Sequence, residues 1–130
     1  HQARMALEER AIALILTQEP QLRRTPANNP GYDLFEANDD GQPLRWIEVK
    51  AMTGTLGSRP VGLSRTQFDT ARMCGTAYWL YIVEMIGAPE KARIIRIQNP
   101  AGRAQTFTFD HGWASVAATE DPSTFRKGIA

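Results

Sequence analysis

The sequence predicts an α/β domain in which helices pack on a mixed β-sheet. An amphipathic helical pattern opens the chain, a strand hairpin with a strong turn signal follows, and apolar strand-like runs come later. Of the 130 residues, 42% are hydrophobic and 22% are charged, as is ordinary for a globular protein. This length is enough for one hydrophobic core but too short for two. We therefore expect residues 1–130 to form a single domain, cut from a larger protein because the chain opens on His-Gln rather than Met.

Composition excludes several classes of protein. A net charge of +1 argues against a broadly basic nucleic-acid coat, so any nucleic-acid contact has to come from a local patch. The single cysteine, Cys74, rules out an internal disulfide and offers no metal-site spacing. No apolar run approaches the roughly 20 residues that a membrane span needs, and the start shows no secretory pattern. These features favour a cytoplasmic protein that does not enter the membrane.

The first half of the chain predicts a helix followed by a hairpin. Residues 4–17 carry an apolar stripe at helical spacing. The two hairpin strands are expected at Gly31–Glu36 and Leu44–Lys50, joined across the turn sequence Asn38–Gly41. A further short strand fits Leu22–Thr25.

The second half predicts a loop, a helix and two buried strands. Residues 53–62 hold three glycines and a proline, which favours a flexible loop that either closes over a substrate or is disordered. Ser64–Gln67 has the S-x-x-Q form of a capping box and begins a helix expected to reach Cys74, with Gly75 as its stop. Strands are expected at Tyr78–Met85, Ala92–Ile97 and, on an edge, Thr106–Phe109.

Polar and apolar side chains alternate along the second hairpin strand. The alternation places Glu48 and Lys50 on one face and Ile47 and Val49 on the other. Trp46 lies on the same face as Glu48. There its ring either lines a site, stacks on a nucleic-acid base or packs into the core.

The hairpin is expected to bring two acidic residues together. With the turn centred on Asp40-Gly41, residue 39 opposes 42, and Asp33 falls opposite Glu48. Cross-strand partners have Cβ atoms about 5 Å apart, so two carboxylates there repel each other. A bridging divalent cation is the simplest compensation because hard cations choose oxygen ligands. A symmetric four-residue loop keeps this register, whereas a three-residue loop shifts it by one residue and weakens the argument.

A lysine completes a pattern suited to phosphate chemistry. Lys50 lies two residues beyond Glu48 on the same face, where its ammonium can orient a water or steady negative charge on a phosphate. The Val49 carbonyl can add another metal oxygen. One metal ion and an adjacent lysine are sufficient to catalyse the hydrolysis of a phosphodiester. The alternative is an ordinary hairpin with surface charges, since the bare pattern of Asp, a variable gap and Glu-x-Lys is common.

A spaced set of motifs resembles a known family. The set comprises Asn29-Pro30-Gly31-Tyr32-Asp33, Trp46-Ile47-Glu48-Val49-Lys50, Val61-Gly62-Leu63-Ser64 with Gln67, Tyr78-Trp79-Leu80-Tyr81 and, on the first helix, Leu7-Glu8 with Ala11. It resembles the NO VEIN-type C-terminal domain over roughly residues 5–100, a group similar to the PD-(D/E)XK nuclease superfamily. The resemblance implies a restriction-endonuclease-like mixed sheet flanked by helices, in the order helix, three-stranded meander, helix and further strand.

The resemblance also implies a role for individual residues. Asp33 and Glu48 match the two metal-binding acids, and Lys50 matches the catalytic lysine. Glu8 matches an acidic position on the first helix that helps to hold metal or position water, although a favourable place in the helix dipole would also explain it. Gln67 falls where related members carry Gln or, often, Glu on the helix after the motif strand.

The function implied is that of an endonuclease-like module, dependent on Mg²⁺ or Mn²⁺, acting on DNA. Related modules often lie beside helicase-like or ATPase domains in bacterial restriction and phage-defence proteins. Because some superfamily modules lose catalysis, the alternative is an inactive module that binds nucleic acid or a partner domain. Arg59, Arg65 and Arg72 either line a phosphate path or form a solvated face. His111 is more typical of a structural loop than of a general base.

Overall fold

The computed structural model describes residues 2–26, 28–29 and 31–104, and it has the α/β architecture expected from the sequence. The elements are α1 (Gln2–Gln18), β1 (Arg23–Arg24), β2 (Leu34–Ala37), β3 (Pro43–Ala51), α2 (Arg65–Cys74), a 3₁₀ turn (Gly75–Ala77), β4 (Tyr78–Glu84), β5 (Arg93–Gln98) and α3 (Pro100–Arg103). The predicted strand at Thr106–Phe109 and His111 lie outside the described residues.

The strands form one mixed sheet in the order β1-β2-β3-β4-β5. β3 and β4 run parallel, and every other neighbouring pair is antiparallel. A parallel pair needs a crossover connection, and the chain between β3 and β4 provides it through α2. Five strands in a mixed sheet with flanking helices are consistent with a restriction-endonuclease-like fold. None of the helices in the described part of the chain is both long and apolar enough to span a membrane.

Each face of the sheet buries its own apolar cluster. Under α1, the cluster includes Ala11, Ile12, Ile15, Leu34, Ile47, Val49, Tyr81 and Val83. The other cluster is formed by Met52, Leu80 and Ile82, against which Leu56, Val61, Leu63, Ile95 and Ile97 pack. The side chains of β3 therefore alternate as predicted: Ile47 and Val49 face α1, which leaves Glu48 and Lys50 for the opposite face.

The hairpin between β2 and β3 has a different turn from the one predicted. The Asn38 carbonyl accepts from the Gly41 N–H, and the Asn38 N–H donates to the Gln42 carbonyl, both at 2.9 Å. The loop between these paired residues therefore has three residues, 39–41, rather than two or four. Gly41 adopts φ 80°, which glycine tolerates without strain. By itself, a three-residue loop would move Asp33 away from Glu48.

A bulge restores the predicted register. Ala37 lies opposite Pro43, whereas Glu36 lies opposite Arg45, so Leu44 is an extra residue on β3. One extra residue on one strand of an antiparallel pair is the definition of a β-bulge. From Glu36 towards Asp33, the pairing is therefore the one that the sequence predicted.

The first part of the loop between β3 and α2 contacts the sheet. Met85 donates to the Gly54 carbonyl at 3.0 Å, and the Leu56 N–H donates to the Glu84 carboxylate. Leu56 also packs with Val61 against the second apolar cluster. The apolar residues of the loop therefore add to the second cluster, a contact that glycine content does not reveal.

A polar network ties the end of α1 to the sheet. Arg45 on β3 donates to Glu19 and Tyr81 at 2.7 Å and to Glu36 at 2.8 Å. Tyr81 and Arg96 also donate to Glu19, at 3.0 and 2.9 Å. Burial acts to lower the pKa of Arg45, but its hydrogen bonds to Glu36 and Glu19 outweigh burial and raise that pKa above its ordinary value. The guanidinium therefore stays charged at the junction of α1, β2 and β3.

We expect Arg45→Ala to lower the free energy of unfolding by about 2–3 kcal/mol, because it leaves two half-buried carboxylates without their shared partner. Arg65→Ala is the matched control, since the Arg65 side chain is 94% exposed and lies 3.9 Å from Asp69. Urea unfolding should show a change within about 0.5 kcal/mol for the control. Equal losses for the two variants would contradict the role given to the network.

Candidate active site

Asp33 and Glu48 bring two carboxyl groups together beside α2. Asp33 lies just before β2, and its N–H donates to the Ile47 carbonyl at 2.9 Å. This bond extends the β2–β3 ladder by one residue, so Asp33 is adjacent to Glu48. The Asp33 carboxyl group is close enough to Glu48 to raise the Glu48 pKa. Glu48 is only 4% exposed. The two acids thus meet in a place that is nearly closed to water.

Asp33 is also bound to the backbone of β3. Its Oδ2 accepts from the Val49 N–H at 2.8 Å. The N–H and C=O of one strand residue point to the same side of the strand. The Val49 carbonyl is therefore directed towards the side on which the Asp33 carboxylate lies.

The backbone around Asp33 is held from two directions. The Thr25 N–H donates to the Asp33 carbonyl at 3.0 Å, and the Thr25 hydroxyl lies 2.9 and 3.0 Å from the Asp33 and Tyr32 carbonyls. From β4, the buried Tyr78 hydroxyl donates to the Gly31 carbonyl at 2.7 Å. These contacts position the residue although regular strand pairing begins only at Leu34, not at Gly31 as predicted.

Gly31 permits a close approach between this segment and α2. A Cβ atom at Gly31 would lie 2.7 Å from Oγ1 and 3.3 Å from Cγ2 of Thr70, which is too close for van der Waals contact. The Gly31 N–H donates to Asn29 Oδ1 at 2.9 Å. Glycine is needed here for packing, and the resulting contact fixes α2 next to the carboxylates.

Lys50 and Gln67 complete the cluster. Lys50 Nζ donates to Gln67 Oε1 at 3.0 Å and lies 3.7 Å from Glu48 Oε2. Gln67 Nε2 donates to the same Glu48 oxygen at 2.9 Å. The predicted capping box of α2 is confirmed, and Gln67 is its N3 residue. The structure thus brings together Asp33, Glu48, Lys50 and Gln67.

The electrostatics of Glu48 follow from this enclosure. Burial raises the pKa of Glu48 most, and the negative charge of Asp33 raises it further, while Lys50 lowers it; the result is about 9. Burial also raises the pKa of Tyr78, with smaller contributions in the same direction from Glu48 and Asp33. A buried acid beside a second acid needs either a proton or a cation to balance the charge.

Glu8 is an electrostatic neighbour of the cluster. Burial raises its pKa, the charge of Asp33 raises it further, and Lys50 acts in the opposite direction. The helix-dipole explanation for Glu8 is wrong, because α1 begins at Gln2 and has no acidic residue in its first turn. Glu8 thus lies in the second turn of α1, within electrostatic reach of Asp33 and Lys50.

The donors of this cluster fit a hard divalent cation. Asp33, Glu48 and the Val49 carbonyl are oxygen donors, which Mg²⁺ and Mn²⁺ prefer. Mg²⁺ commonly uses one or two carboxylates and keeps several waters. In the part of the chain that the structure describes, no group of three or more His, Cys, Asp or Glu side chains is arranged to hold a metal. The fit is therefore to a cation held by two acids and water, with Glu8 outside the direct ligands.

The three arginines predicted for a phosphate path do not join the carboxylates. Arg59 is exposed on the loop before α2. Arg65 and Arg72 lie on the solvent side of α2, and Arg72 lines a surface cleft with Asp69 and Met73. Each is more than about 130° around the helix from Gln67, given 3.6 residues per turn. Arg65 and Arg72 thus share an exposed face of α2, which suits either contact with a long ligand or simple solvation.

Trp46 lies beside the carboxylates rather than in the main core. Its ring is half-buried and meets the Tyr32 ring edge to face, with centroids 6.2 Å apart. Both residues flank the motif acids in sequence, Tyr32 before Asp33 and Trp46 two before Glu48. Strand alternation places Trp46 on the face of β3 that carries Glu48.

Three positioning residues were missed from the sequence. Thr25 and Tyr78 hold the backbone around Asp33. Thr25 shows no pattern beyond strand propensity, and the motif that contains Tyr78 did not indicate its bond to Gly31. Ser64 did carry a signal, the capping-box spacing to Gln67. Nothing in that spacing indicated that the same Gln67 side chain would reach Glu48 and Lys50.

Fold and site together define a mixed α/β domain with two acids, a lysine and a glutamine converging beside one sheet face. The family described as protein NO VEIN, C-terminal, matches residues 3–97, and the chain therefore belongs to that family. The match spans the whole candidate cluster, from Glu8 to Gln67. No curated protein and no solved structure matches the chain.

The raised pKa of Glu48 predicts a pH dependence of stability in the presence of a chelator. The folded state keeps the Glu48 proton between about pH 5 and pH 9, whereas the unfolded state loses it near the ordinary value of 4.5. The folded state binds more protons, so the free energy of unfolding should fall as pH rises, with a slope approaching about 1.4 kcal/mol per pH unit. Urea unfolding at a series of pH values measures this slope.

Glu48→Gln should remove most of that slope, because the amide stays neutral and can still donate to Asp33. The exposed Glu90 provides a control, and Glu90→Gln should leave the slope as in the wild type. A Glu48→Gln curve parallel to the wild-type curve would contradict the electrostatics described above.

Proposed function

We propose that this domain hydrolyses phosphodiester bonds in DNA with the help of Mg²⁺ or Mn²⁺. The observation that carries the proposal is the convergence of the Asp33 and Glu48 carboxyl groups, with Lys50 Nζ 3.7 Å from Glu48 Oε2. Acidic oxygens for a cation and an adjacent ammonium for a phosphate are the groups that this reaction needs. The likeness of the motifs to the PD-(D/E)XK superfamily supports the same reaction.

Each residue has a chemical role in the proposed reaction. Asp33 and Glu48 would hold the cation, with the Val49 carbonyl as an additional donor. A divalent cation bound there supplies a water of lowered pKa and stabilises charge on the phosphate. Lys50 places its ammonium where it can orient the attacking water or donate to a phosphate oxygen. Glu8 adds negative charge near Asp33 and Lys50, which favours retention of a cation.

DNA is the substrate that best fits the surroundings of the site. The whole chain carries a net charge of only +1, so binding has to come from local cations rather than from a global field. Arg59 before α2 and Arg65 and Arg72 on α2 are exposed and available to phosphates. The resemblance supports a module of a larger cytoplasmic restriction or phage-defence protein, beside helicase-like or ATPase domains.

A second candidate function is a module that binds nucleic acid or a partner domain without cleaving it. One observation favours it: in residues 2–26, 28–29 and 31–104, the two acids are not joined by a third metal-ligating side chain. The exposed arginines of α2 also lie away from the carboxylates. This alternative predicts DNA binding that needs no metal and weakens as salt increases.

Cleavage of supercoiled plasmid DNA tests the main proposal. The wild-type domain with Mg²⁺ should convert plasmid to nicked or linear forms, and a chelator should stop the reaction. Lys50→Ala should lower the rate by about 100-fold or more, because it removes charge stabilisation at the phosphate. Lys91→Ala, at an exposed lysine between β4 and β5, is the matched control and should cleave at the wild-type rate.

Absence of cleavage with every divalent cation, by this chain and by the full-length parent protein, would overturn the proposal. If DNA binding in a chelator then survives Lys50→Ala and falls with added salt, the binding module is the correct function. Cleavage that is unchanged in Lys50→Ala would instead overturn the role assigned to the lysine.

A further inference from the structure

The Gln67 side chain occupies a central place between the charged groups of the site. Its Oε1 accepts from Lys50 Nζ at 3.0 Å and from the Ser64 N–H at 2.9 Å. Its Nε2 donates to Glu48 Oε2 at 2.9 Å. One amide thus contacts the candidate catalytic lysine, a candidate metal ligand and the first residue of the helix cap.

These partners allow only one orientation of the amide. The carbonyl oxygen of Gln67 faces two donors, Lys50 and the Ser64 N–H, while its NH₂ group faces an acceptor, Glu48. Reversing the amide would turn its NH₂ group towards both donors and its oxygen towards a carboxyl oxygen. The Gln67 side chain therefore links Lys50 to Glu48 in one defined orientation.

The amide also separates Lys50 from Glu48. An unhindered ammonium and carboxylate form hydrogen bonds of about 2.7–2.9 Å. Here Lys50 Nζ lies 3.7 Å from Glu48 Oε2 because its closer partner is Gln67. Without the amide, the ammonium is free to close on the carboxylate and to neutralise an oxygen that a cation needs.

Ser64 holds Gln67 in this position. The Ser64 Oγ accepts from the Gln67 N–H at 3.1 Å, and the Ser64 N–H donates back to the Gln67 side chain. This reciprocal pair is the capping box of α2. A capping box normally serves helix stability alone, but here its side chain continues to Lys50 and Glu48.

We propose that Ser64 and Gln67 are positioning residues that hold Lys50 and Glu48 at the spacing required for catalysis. The inference deepens the proposed nuclease function and rests on it for its kinetic consequences. The geometric part, an ordered Gln67 amide that depends on Ser64 and holds the Lys50 ammonium, stands apart from any cleavage activity.

Nuclear magnetic resonance on the isotope-labelled chain tests the geometric part. The wild type should show two resolved Gln67 side-chain NH₂ signals that exchange slowly with water, since this group is bonded to Glu48. Ser64→Ala should bring these signals to the positions and exchange rates of an exposed glutamine. Ser64→Thr retains a hydroxyl cap and should restore them.

Met73→Gly is the control for helix stability. Met73 is 88% exposed on α2, and replacing a good helix former by glycine there weakens the helix by about 0.8 kcal/mol, similar to the loss of a cap. Met73→Gly should therefore lower the melting temperature as Ser64→Ala does, while the Gln67 signals keep their wild-type positions. Equal disturbance of the signals in both variants, or undisturbed signals in Ser64→Ala, would overturn the proposal.

Kinetics provide the second readout. Gln67→Met keeps the length of the side chain but removes both the acceptor for Lys50 and the donor to Glu48. We expect a kcat lower by about tenfold or more at nearly unchanged KM, because the spacing of the reacting groups changes. An unchanged kcat would overturn the catalytic part. If the wild type cleaves no DNA, the proposed function fails, and the resonance experiment alone decides whether the positioning contacts exist.

Discussion

The register between β2 and β3 is the constraint on which the whole candidate site depends. It is set by two compensating departures from an ideal hairpin, a three-residue loop closed by Gly41 and one extra residue on β3 at Leu44. A shift of one residue would turn Glu48 towards α1 and bring a charged group into an apolar cluster. The apolar residues Ile47 and Val49 oppose such a shift because they are almost fully buried under α1.

This register places two acidic side chains together, and neighbouring residues offset part of their repulsion. Two acids meet in a buried place, and Lys50 and Gln67 supply the donors that offset part of the repulsion. The remaining imbalance is the physical reason for expecting a cation. Groups with strongly shifted pKa values that lie beside a specific charged partner are characteristic of functional sites.

The rest of the molecule fixes the geometry of this cluster from outside. Tyr78 on β4 and Thr25 beside β1 hold the backbone that carries Asp33, while the contact of Gly31 with Thr70 fixes α2. The Arg45 network at the end of α1 lies on the other face of the sheet and fixes the helix that carries Glu8. The site is thus assembled from every layer of the domain.

Sequence patterns predicted much of this arrangement, for identifiable reasons. Alternation along β3 assigned Glu48 and Lys50 to one face, and the S-x-x-Q spacing located the start of α2, because both depend on local geometry alone. The pairing of Asp33 with Glu48 was predicted correctly although the predicted turn was wrong. The bulge at Leu44 cancels the one-residue shift that the three-residue loop causes.

Other features depend on contacts between distant residues, which local patterns do not contain. The bond from Lys50 to Gln67 joins residues 17 apart, and the bond from Tyr78 to Gly31 joins residues 47 apart. The hydrogen bond from the Leu56 N–H to Glu84 is of the same kind, since it joins residues 28 apart. The family resemblance supplied the residue roles, while the structure added the contacts that position those residues.

Calorimetric titration of Mn²⁺ into the chain tests the central claim most directly. The convergence of Asp33 and Glu48 predicts binding at a single site that Asp33→Asn weakens at least about tenfold, since it removes one of two charged ligands. The matched variant Asp39→Asn, at an exposed acid of the hairpin loop, should bind Mn²⁺ as the wild type does. Equal affinity in the wild type and Asp33→Asn, or no binding at all, would contradict the account of a cation site between these strands.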